Sequence, residues 1–453
     1  MATSSGEGFS SSFGAIMAAA GSAVGLGNIW RFPYICGKYG GGAFLLVYIV
    51  FVFFIGMILL MSEFVIGRRT GEDPMKAYPK LRPDRPSWKF VGLAGLITCF
   101  LILAIYLIIS GWTLNYFWES VTGTLAAVAD SDLGAHFNNF ASSTFRPVVF
   151  VAVFLACTTI VIIGGVEKGI ERVSKLLMPV LVVLLLVMCV RSVTLDGASK
   201  GLAYLFHPDF SKLTGEGVLA ALGQALFSLS VGMGVMLVYG SYLPKDDNIL
   251  KTSVWITVCD FLIAILSGVA IFPAVFACGQ DPTGGPGLVY QVLPVVFNSF
   301  GAFGQLFSSV FFLLLSLAAL TSAISLLEAL TQWLSGEKLN RTMSAIIMSL
   351  IVLVPAAAAS FSYGEGIWSG FHIAGMGLFD LLDKLTGTIL PPVCAFLTIF
   401  FFGWVMKKDD IIDELSNHGV IKIGYFKVFY YFLARFVAPL ALLVVLISGL
   451  IMN

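Results

Sequence analysis

Residues 21–28 read Gly21-Ser22-Ala23-Val24-Gly25-Leu26-Gly27-Asn28, and residues 228–234 read Ser228-Leu229-Ser230-Val231-Gly232-Met233-Gly234. Each run lies inside an apolar stretch of about 20 residues, the length that crosses about 30 Å of hydrocarbon. A helix in lipid must satisfy its own backbone, so a glycine-rich interruption is costly unless the freed peptide groups line a cavity or hold a ligand. A lone Gly21-x-x-x-Gly25 reads more readily as a helix-packing notch. A second interruption, with polar side chains beside both, reverses that preference.

Composition places these breaks in a membrane. Of 453 residues, 58% are hydrophobic and 11% charged, against about 25% charged in an ordinary soluble protein. Too little polar surface remains for a water-facing exterior. The 26 Lys and Arg balance 26 Asp and Glu, so net charge gives no reason to expect a nucleic-acid partner. Apolar stretches fall at 12–36, 41–66, 91–117, 147–163, 174–192, 217–242, 252–277, 300–333, 342–361, 382–405 and 428–451. Eleven spans predict an all-α polytopic membrane protein with its termini on opposite sides.

The basic residues orient it. Arg68, Arg69, Lys76, Lys80, Arg82, Arg85 and Lys89 follow span 2. Lys168, Arg172 and Lys175 follow span 4, Lys245 and Lys251 span 6, Lys338 and Arg341 span 8, and Lys407, Lys408, Lys422 and Lys427 span 10. The opposite loops hold only Lys38, Arg146, Lys200 and Lys212. The positive-inside rule then predicts a cytoplasmic N-terminus and an extracellular C-terminus. The N-terminus lacks the basic region of a cleavable signal peptide. The seven cysteines, without CxxC spacing, read as small core residues.

The two breaks lie five spans apart, an odd number, so spans 1–5 and 6–10 have opposite topology. Interrupted helices at matching positions of two inverted halves point to a secondary transporter's binding site. Half-helix N-termini expose N–H groups that hold a carboxylate, while freed carbonyls hold a cation. Such a site suits a zwitterionic amino acid with Na+. Hydroxyls and carboxamides for an oxygen-only cation site come from Thr321-Ser322 and Asn28.

The run Gly21 to Asn28, continued by Ile29-Trp30-Arg31-Phe32-Pro33-Tyr34 and Gly40-Gly41-Gly42-Ala43-Phe44, resembles the helix 1 signature of the neurotransmitter:sodium symporters. The resemblance covers residues 10 to 450 and fits the short, eleven-span bacterial members. It implies the LeuT fold, a five-plus-five inverted repeat with helices 1 and 6 broken, in one transporter domain over 1–453. Residues 12–193 would form the first repeat, 217–405 the second, and 428–451 an additional helix. It also implies Na+-coupled alternating access in a bacterial cell membrane, with two Na+ ions.

Carried over position by position, the resemblance implies a second sodium site of Gly21, Val24 and Ala318 carbonyls with Thr321 and Ser322 hydroxyls. The first sodium site would comprise Ala23, Asn28, Ser228, the substrate carboxylate and Asp260. Asp260 departs from the pattern, standing where Asn is usual. Chloride-dependent relatives use positions matching Tyr48, Gln224 and Ser228; here a carboxylate at 260 would supply the negative charge instead, making transport chloride-independent. The bland alternative is a solvated carboxylate near the cytoplasmic end of span 7. Gly25 stands where monoamine transporters carry Asp, so the substrate should bring its own carboxylate. Leu26 and Gly27 N–H groups and Tyr106 would bind it, with the ammonium on Ala23, Phe227 and Ser230. The side chain would meet Ile102, Tyr106, Phe227, Met233, Ser322 and Leu326, and Ser228 would belong to the substrate pocket as well as to the first sodium site. Met233, in place of an aromatic, favours larger or varied hydrophobic amino acids.

Arg31 and Asp383 match the family's outer gate, with Asp380 as the alternative acid. Glu63 resembles a carboxylate that accepts hydrogen bonds from the unwound part of helix 6. Gly169 and Pro179 match the motif that lets helix 5 unwind. The tail positions near Gly6 and Phe9 keep only the aromatic half of an inner gate. An intramembrane enzyme is disfavoured: the four histidines lie in or near loops and form no HExxH. A channel or sensor, or a proton-coupled member of the same fold, remains as an alternative, though the Thr321-Ser322 pair argues for Na+.

Overall fold

The computed structural model describes residues 8–282, 288–336 and 339–451; Gly6 and Lys338 lie outside the described residues. The first span is a bent pair, α1 (Ser12–Ala23) and α2 (Gly27–Lys38), meeting at 44°. Then follow α3 (Gly42–Thr70), α4 (Pro86–Thr122), α5 (Arg146–Ile163) and α6 (Val166–Val193). The sixth span is two short helices, α7 (Gly215–Ser228) and α8 (Val235–Ser241). The chain continues with α9 (Ile249–Ala277), α10 (Gly301–Leu334), α11 (Arg341–Phe361), α12 (Leu378–Val405) and α13 (Phe426–Ser448). Among the described residues nine helices are long and apolar enough to cross a membrane, or ten with the bent pair. Eleven is therefore not reached by length and composition, because neither α7 nor α8 is long enough alone. A two-residue hairpin, His372–Ile373 against Met376–Gly377, is the one sheet among the described residues.

Local chemistry sets the helix ends. Ser11 caps α1 by accepting the Gly14 N–H at 3.1 Å, Thr214 caps α7 through Gly217, and Asn248 caps α9 through Lys251, each satisfying an orphan donor of the first turn. α1 stops where Val24 turns extended at φ −82° and ψ 92°. α7 stops before Ser230, Gly232 and Gly234, which have φ of 54°, 81° and 77°. At Gly232 a Cβ would also come within 2.7 Å of the Pro391 carbonyl, so the break needs glycine for two reasons.

α4 and α10 are largely enclosed by the other helices, whereas α5, α6 and α13 turn mainly outward. Val149, Val153 and Ile160 on α5, Leu176, Val183 and Val190 on α6, and Leu440 and Val444 on α13 are exposed. In a membrane these side chains meet lipid. Cys36, Cys99, Cys189 and Cys394 are buried as expected of core residues, but Cys157 lies on the exposed face of α5. On the side predicted to be cytoplasmic, the guanidinium of Arg68 is fully buried at the end of α3. It donates to Glu414 Oε1 at 2.5 Å, to the Glu414 and Asp247 carbonyls, and to Asn417 Oδ1. A buried charge persists only when satisfied in this way, and the cluster ties α3 to the approach to α9 and to the short helix Lys408–Leu415.

Candidate substrate and ion site

The two breaks face one another. Val24 N–H closes the last turn of α1 on the Ala20 carbonyl. Among the described residues the carbonyls of Gly21, Ser22, Ala23 and Val24 then receive no backbone N–H. Ser22 carbonyl instead accepts the Ser230 hydroxyl at 3.0 Å and the Ser322 hydroxyl at 2.9 Å. One freed peptide group of helix 1 thus ties together the unwound segment after α7 and the middle of α10.

Around this junction lies a small cavity. Ala23, Gly25, Gly27, Ile102, Tyr106, Phe227, Ser230, Met233, Ser322 and Leu326 all line it, with Ser22. Leu26 does not line it through its side chain, but its N–H donates to Tyr106 Oη at 3.1 Å. A Cβ on Gly25 would lie 2.1 Å from Ser322 Oγ and 2.8 Å from Tyr106 Oη. The space that an aspartate would need at this position is already filled.

Ser228 is the exception among the expected pocket residues. Its hydroxyl turns away from the cavity and donates to Asp260 Oδ1 at 2.5 Å. Asn28 Nδ2 donates to the same Oδ1 at 2.8 Å, to the Asp260 carbonyl at 3.0 Å and to Ser228 Oγ at 3.2 Å. Tyr48 Oη lies 3.1 Å from Ser228 Oγ and 3.4 Å from Asp260 Oδ2. Asp260 is completely buried, so the reading of a solvated carboxylate at the end of span 7 is wrong. Three neutral hydrogen-bonding side chains converge on one buried carboxylate, an arrangement with room in its chemistry for a cation. Ala23 lines the cavity and takes no part in these hydrogen bonds. Gln224, the remaining chloride-type position, donates to the Gly27 carbonyl at 2.7 Å.

At the position expected for a second ion, Thr321 Oγ1 lies 2.9 Å from the Ala318 carbonyl and 3.4 Å from the Val24 carbonyl. Gly21 packs alongside, where a Cβ would meet Thr321 Cβ at 3.4 Å. Three of the five expected groups, Thr321 Oγ1 and the Val24 and Ala318 carbonyls, meet here. Ser322 is turned differently, because its hydroxyl is engaged by Ser22 and faces the substrate cavity.

A second cavity, lined in part by Trp30, Arg31, Phe227, Asp383 and Thr386, adjoins the first through Ile102, Tyr106 and Phe227. Arg31 and Asp383 therefore share a chamber, but no direct ion pair joins them. Arg31 donates instead to Gln224 Oε1 at 3.2 Å and to the Gly387 carbonyl at 3.3 Å, with its guanidinium 4.8 Å from the Phe227 ring centre. The non-α turn at Leu385–Ile389 puts that carbonyl within reach. Asp380 does not line the chamber.

Glu63 sits on α3, fully buried, and accepts the N–H groups of Gly232 at 2.6 Å and Leu237 at 3.2 Å. It replaces the helical partners that the break removes. Gly169 lies in the wide turn opening α6, where a Cβ would fall 2.1 Å from the Val161 carbonyl, and Pro179 lies nearly three turns further along. The tail is fastened without arginine. Phe9 N–H donates to the Tyr242 carbonyl, and its ring meets Tyr239 and Tyr242 edge-on. Ser10 bonds Glu171 through N–H at 2.7 Å and hydroxyl at 2.6 Å, and Ser12 bonds Asp247 at 2.9 Å.

Sequence reading missed three of these groups. Ser22 carried no signal, since its role is that of a carbonyl. Glu171 looked like one more charge at a span end. Glu328 was readable: it is a carboxylate inside an apolar span, and it is fully buried between Tyr242 Oη at 2.6 Å and Arg341 at 2.5 Å.

Comparison with known proteins agrees with this geometry. The chain matches the sequence profile of the sodium:neurotransmitter symporter family over residues 6–139 and 142–453. It is 38% identical over 441 residues to the sodium-dependent transporter YhdH of Bacillus subtilis (strain 168), covering 97% of each chain. It is 35% identical over 445 residues to a sodium-dependent transporter of Haemophilus influenzae, covering 96% of each. The structure of MhsT in complex with L-phenylalanine superposes with a TM-score of 0.90 at 40% identity, covering 98% of this chain and 100% of that one. Both broken helices, the buried Asp260 cluster and Thr321 fall inside the matched regions, and the chain belongs to the sodium:neurotransmitter symporter family as an all-helical, multi-pass, sodium-coupled symporter and not an enzyme.

Proposed function

We propose that this protein imports hydrophobic and aromatic L-amino acids together with two Na+ ions, by alternating access and without chloride. The observation that carries the reading is the fully buried Asp260, which accepts hydrogen bonds from Asn28, just past the first break, and from Ser228, at the end of α7. Its fixed negative charge would offset a cation where relatives import an anion. The L-phenylalanine bound by MhsT supports an amino-acid substrate, and so do the Tyr106 hydroxyl and Leu26 N–H beside the cavity, placed for a carboxylate. Ile102, Phe227, Met233 and Leu326 give the rest of the space an apolar wall, suited to a hydrophobic side chain. Thr321 with the Gly21, Val24 and Ala318 carbonyls would hold the second ion.

In this reading residues 12–193 and 217–405 are the two inverted repeats, and 428–451 is an additional helix. The N-terminus is cytoplasmic and the C-terminus extracellular, in a bacterial inner membrane. Arg31 and Asp383 close over the bound substrate from opposite sides of their shared chamber. Each charge moved through 100 mV supplies about 2.3 kcal/mol, enough for two ions to drive strong accumulation. The test is uptake by purified protein in liposomes under an imposed Na+ gradient, competed by each of the twenty amino acids, with and without chloride. Concentrative, Na+-driven uptake of hydrophobic amino acids in chloride-free buffer is expected. Downhill flux alone would indicate a channel, and loss of uptake without chloride would remove the role given to Asp260.

A further inference from the structure

The cluster around Asp260 has no exposed side chain: Asn28, Tyr48, Ser228 and Asp260 are all at or below 1% exposure. An ion held there needs a route to the cytoplasm, and α9 carries a line of polar groups leading from it. Ser253, Thr257 and Asp260 lie at i, i+4 and i+7, so at 3.6 residues per turn they share one helix face within about 60°, spread over about 10 Å of axis. Ser253 and Thr257 are completely buried, and neither hydroxyl has a hydrogen-bond partner among the described residues.

Ser192, Ser344 and Ser360 share this state singly on other helices, but only on α9 do two such hydroxyls follow one another beside a buried carboxylate among the described residues. Buried helical Ser and Thr ordinarily bond back to a carbonyl one turn earlier, as Ser267 does to Ile263 on the same helix and as Ser110, Thr113, Thr158 and Thr331 do elsewhere. Unpartnered buried hydroxyls cost stability, and two in succession beside a buried carboxylate call for a ligand. Helix 1 packs along this part of α9. Ser12 Oγ bonds Asp247 at the start of α9, and Asn28 bonds Asp260 further along. The two chains therefore run side by side between those contacts. Across that interval α1 presents Ala15, Ala18 and Ala19, all buried, with no hydrogen-bonding side chain between Ser12 and Ser22. The oxygens of Thr257 and Ser253 are thus available, and the acidic and hydroxyl groups of Asp247 and Ser12 stand at the far end.

We infer that the Thr257 and Ser253 hydroxyls are successive oxygen ligands for the Na+ ion that leaves the Asp260 cluster for the cytoplasm along the α1–α9 seam. The inference rests on the reading of Asp260 as a sodium ligand. Its test uses the full chain in liposomes and compares net uptake with exchange. Net uptake requires Na+ to leave the protein, whereas exchange of labelled for unlabelled substrate, with saturating Na+ on both sides, does not. Thr257→Val with Ser253→Ala keeps the volume nearly constant and removes both oxygens. Net uptake is expected to slow about tenfold, while exchange stays within about twofold of the parent protein. Thr257→Ser, which keeps the oxygen, should restore most of the rate. Unchanged net uptake would overturn the inference, and so would a parallel fall in exchange, which would mark the hydroxyls as structural. Asp260→Ala, which removes the side-chain oxygens, is measured alongside for the Na+ dependence of substrate binding. An unshifted dependence there removes Asp260 as a ligand, and with it this route, whatever the hydroxyl variants do.

Discussion

Asn28 and Asp260, 232 positions apart in sequence, meet through two hydrogen bonds: the carboxamide reaches both Oδ1, at 2.8 Å, and the main-chain carbonyl, at 3.0 Å. This contact fastens the broken first helix to α9 at the place proposed for the first Na+ ion. Asp260→Asn keeps the shape and removes the charge. In chloride-free liposomes its Na+-driven uptake should fall by about tenfold or more, and added chloride should restore part of it. Uptake equal to the parent without chloride would contradict the assignment.

Gly25→Ala should abolish substrate binding at concentrations that saturate the parent protein, because the new methyl would lie 2.1 Å from Ser322 Oγ and 2.8 Å from Tyr106 Oη. The double variant Gly25→Ala with Ser322→Ala removes the nearer clash. Binding by the double variant should exceed that of Gly25→Ala alone, a coupling expected of residues in contact. Equilibrium binding of labelled substrate to purified protein checks both.

Thr321→Val replaces the hydroxyl beside the Val24 and Ala318 carbonyls by a methyl of similar size. The Na+ concentration for half-maximal uptake should rise about tenfold, the equivalent of about 1.4 kcal/mol, with little change in thermal stability. A stability loss without a change in Na+ dependence would assign Thr321 to packing.

Met233→Phe places a rigid ring where a flexible thioether lines the cavity. Competition by tryptophan and phenylalanine should weaken by about tenfold or more, while leucine is held within about threefold. Equal weakening of all three would place Met233 outside the side-chain subsite.

Glu63→Ala leaves the Gly232 and Leu237 N–H groups without their buried acceptor. Each such loss costs about 1–3 kcal/mol, so a lowered unfolding temperature is expected together with lost transport. Glu63→Gln, which keeps one carbonyl oxygen, should recover part of the stability.

The membrane class, the positions of nearly all helices, both breaks and most of the cavity wall were legible in the chain. Hydrophobic length and glycine placement act locally, whereas Gly25, Phe227, Met233 and Thr321 were placed through the resemblance to the family. Directions of side chains were less so. Ser228 and Ser322 were both read as facing two ways, toward substrate and ion; each hydroxyl has one preferred partner, Asp260 for the first and the Ser22 carbonyl for the second. Arg31 and Asp383 were paired through the family's outer gate, yet Gln224 and the Gly387 carbonyl receive the guanidinium.

The sequence by itself determined that this protein lives in lipid and that two of its helices must break there, because a run such as Gly21 to Asn28 cannot stay helical in hydrocarbon without a reason. Tertiary structure alone decided what the freed groups do. Whether Asp260 is solvated or sealed, which carbonyl a hydroxyl seeks, and where unpartnered oxygens line up along α9 all depend on contacts between residues hundreds of positions apart. Hydrogen bonds are directional and act over about 3 Å, so they are settled only once packing has fixed which helices touch.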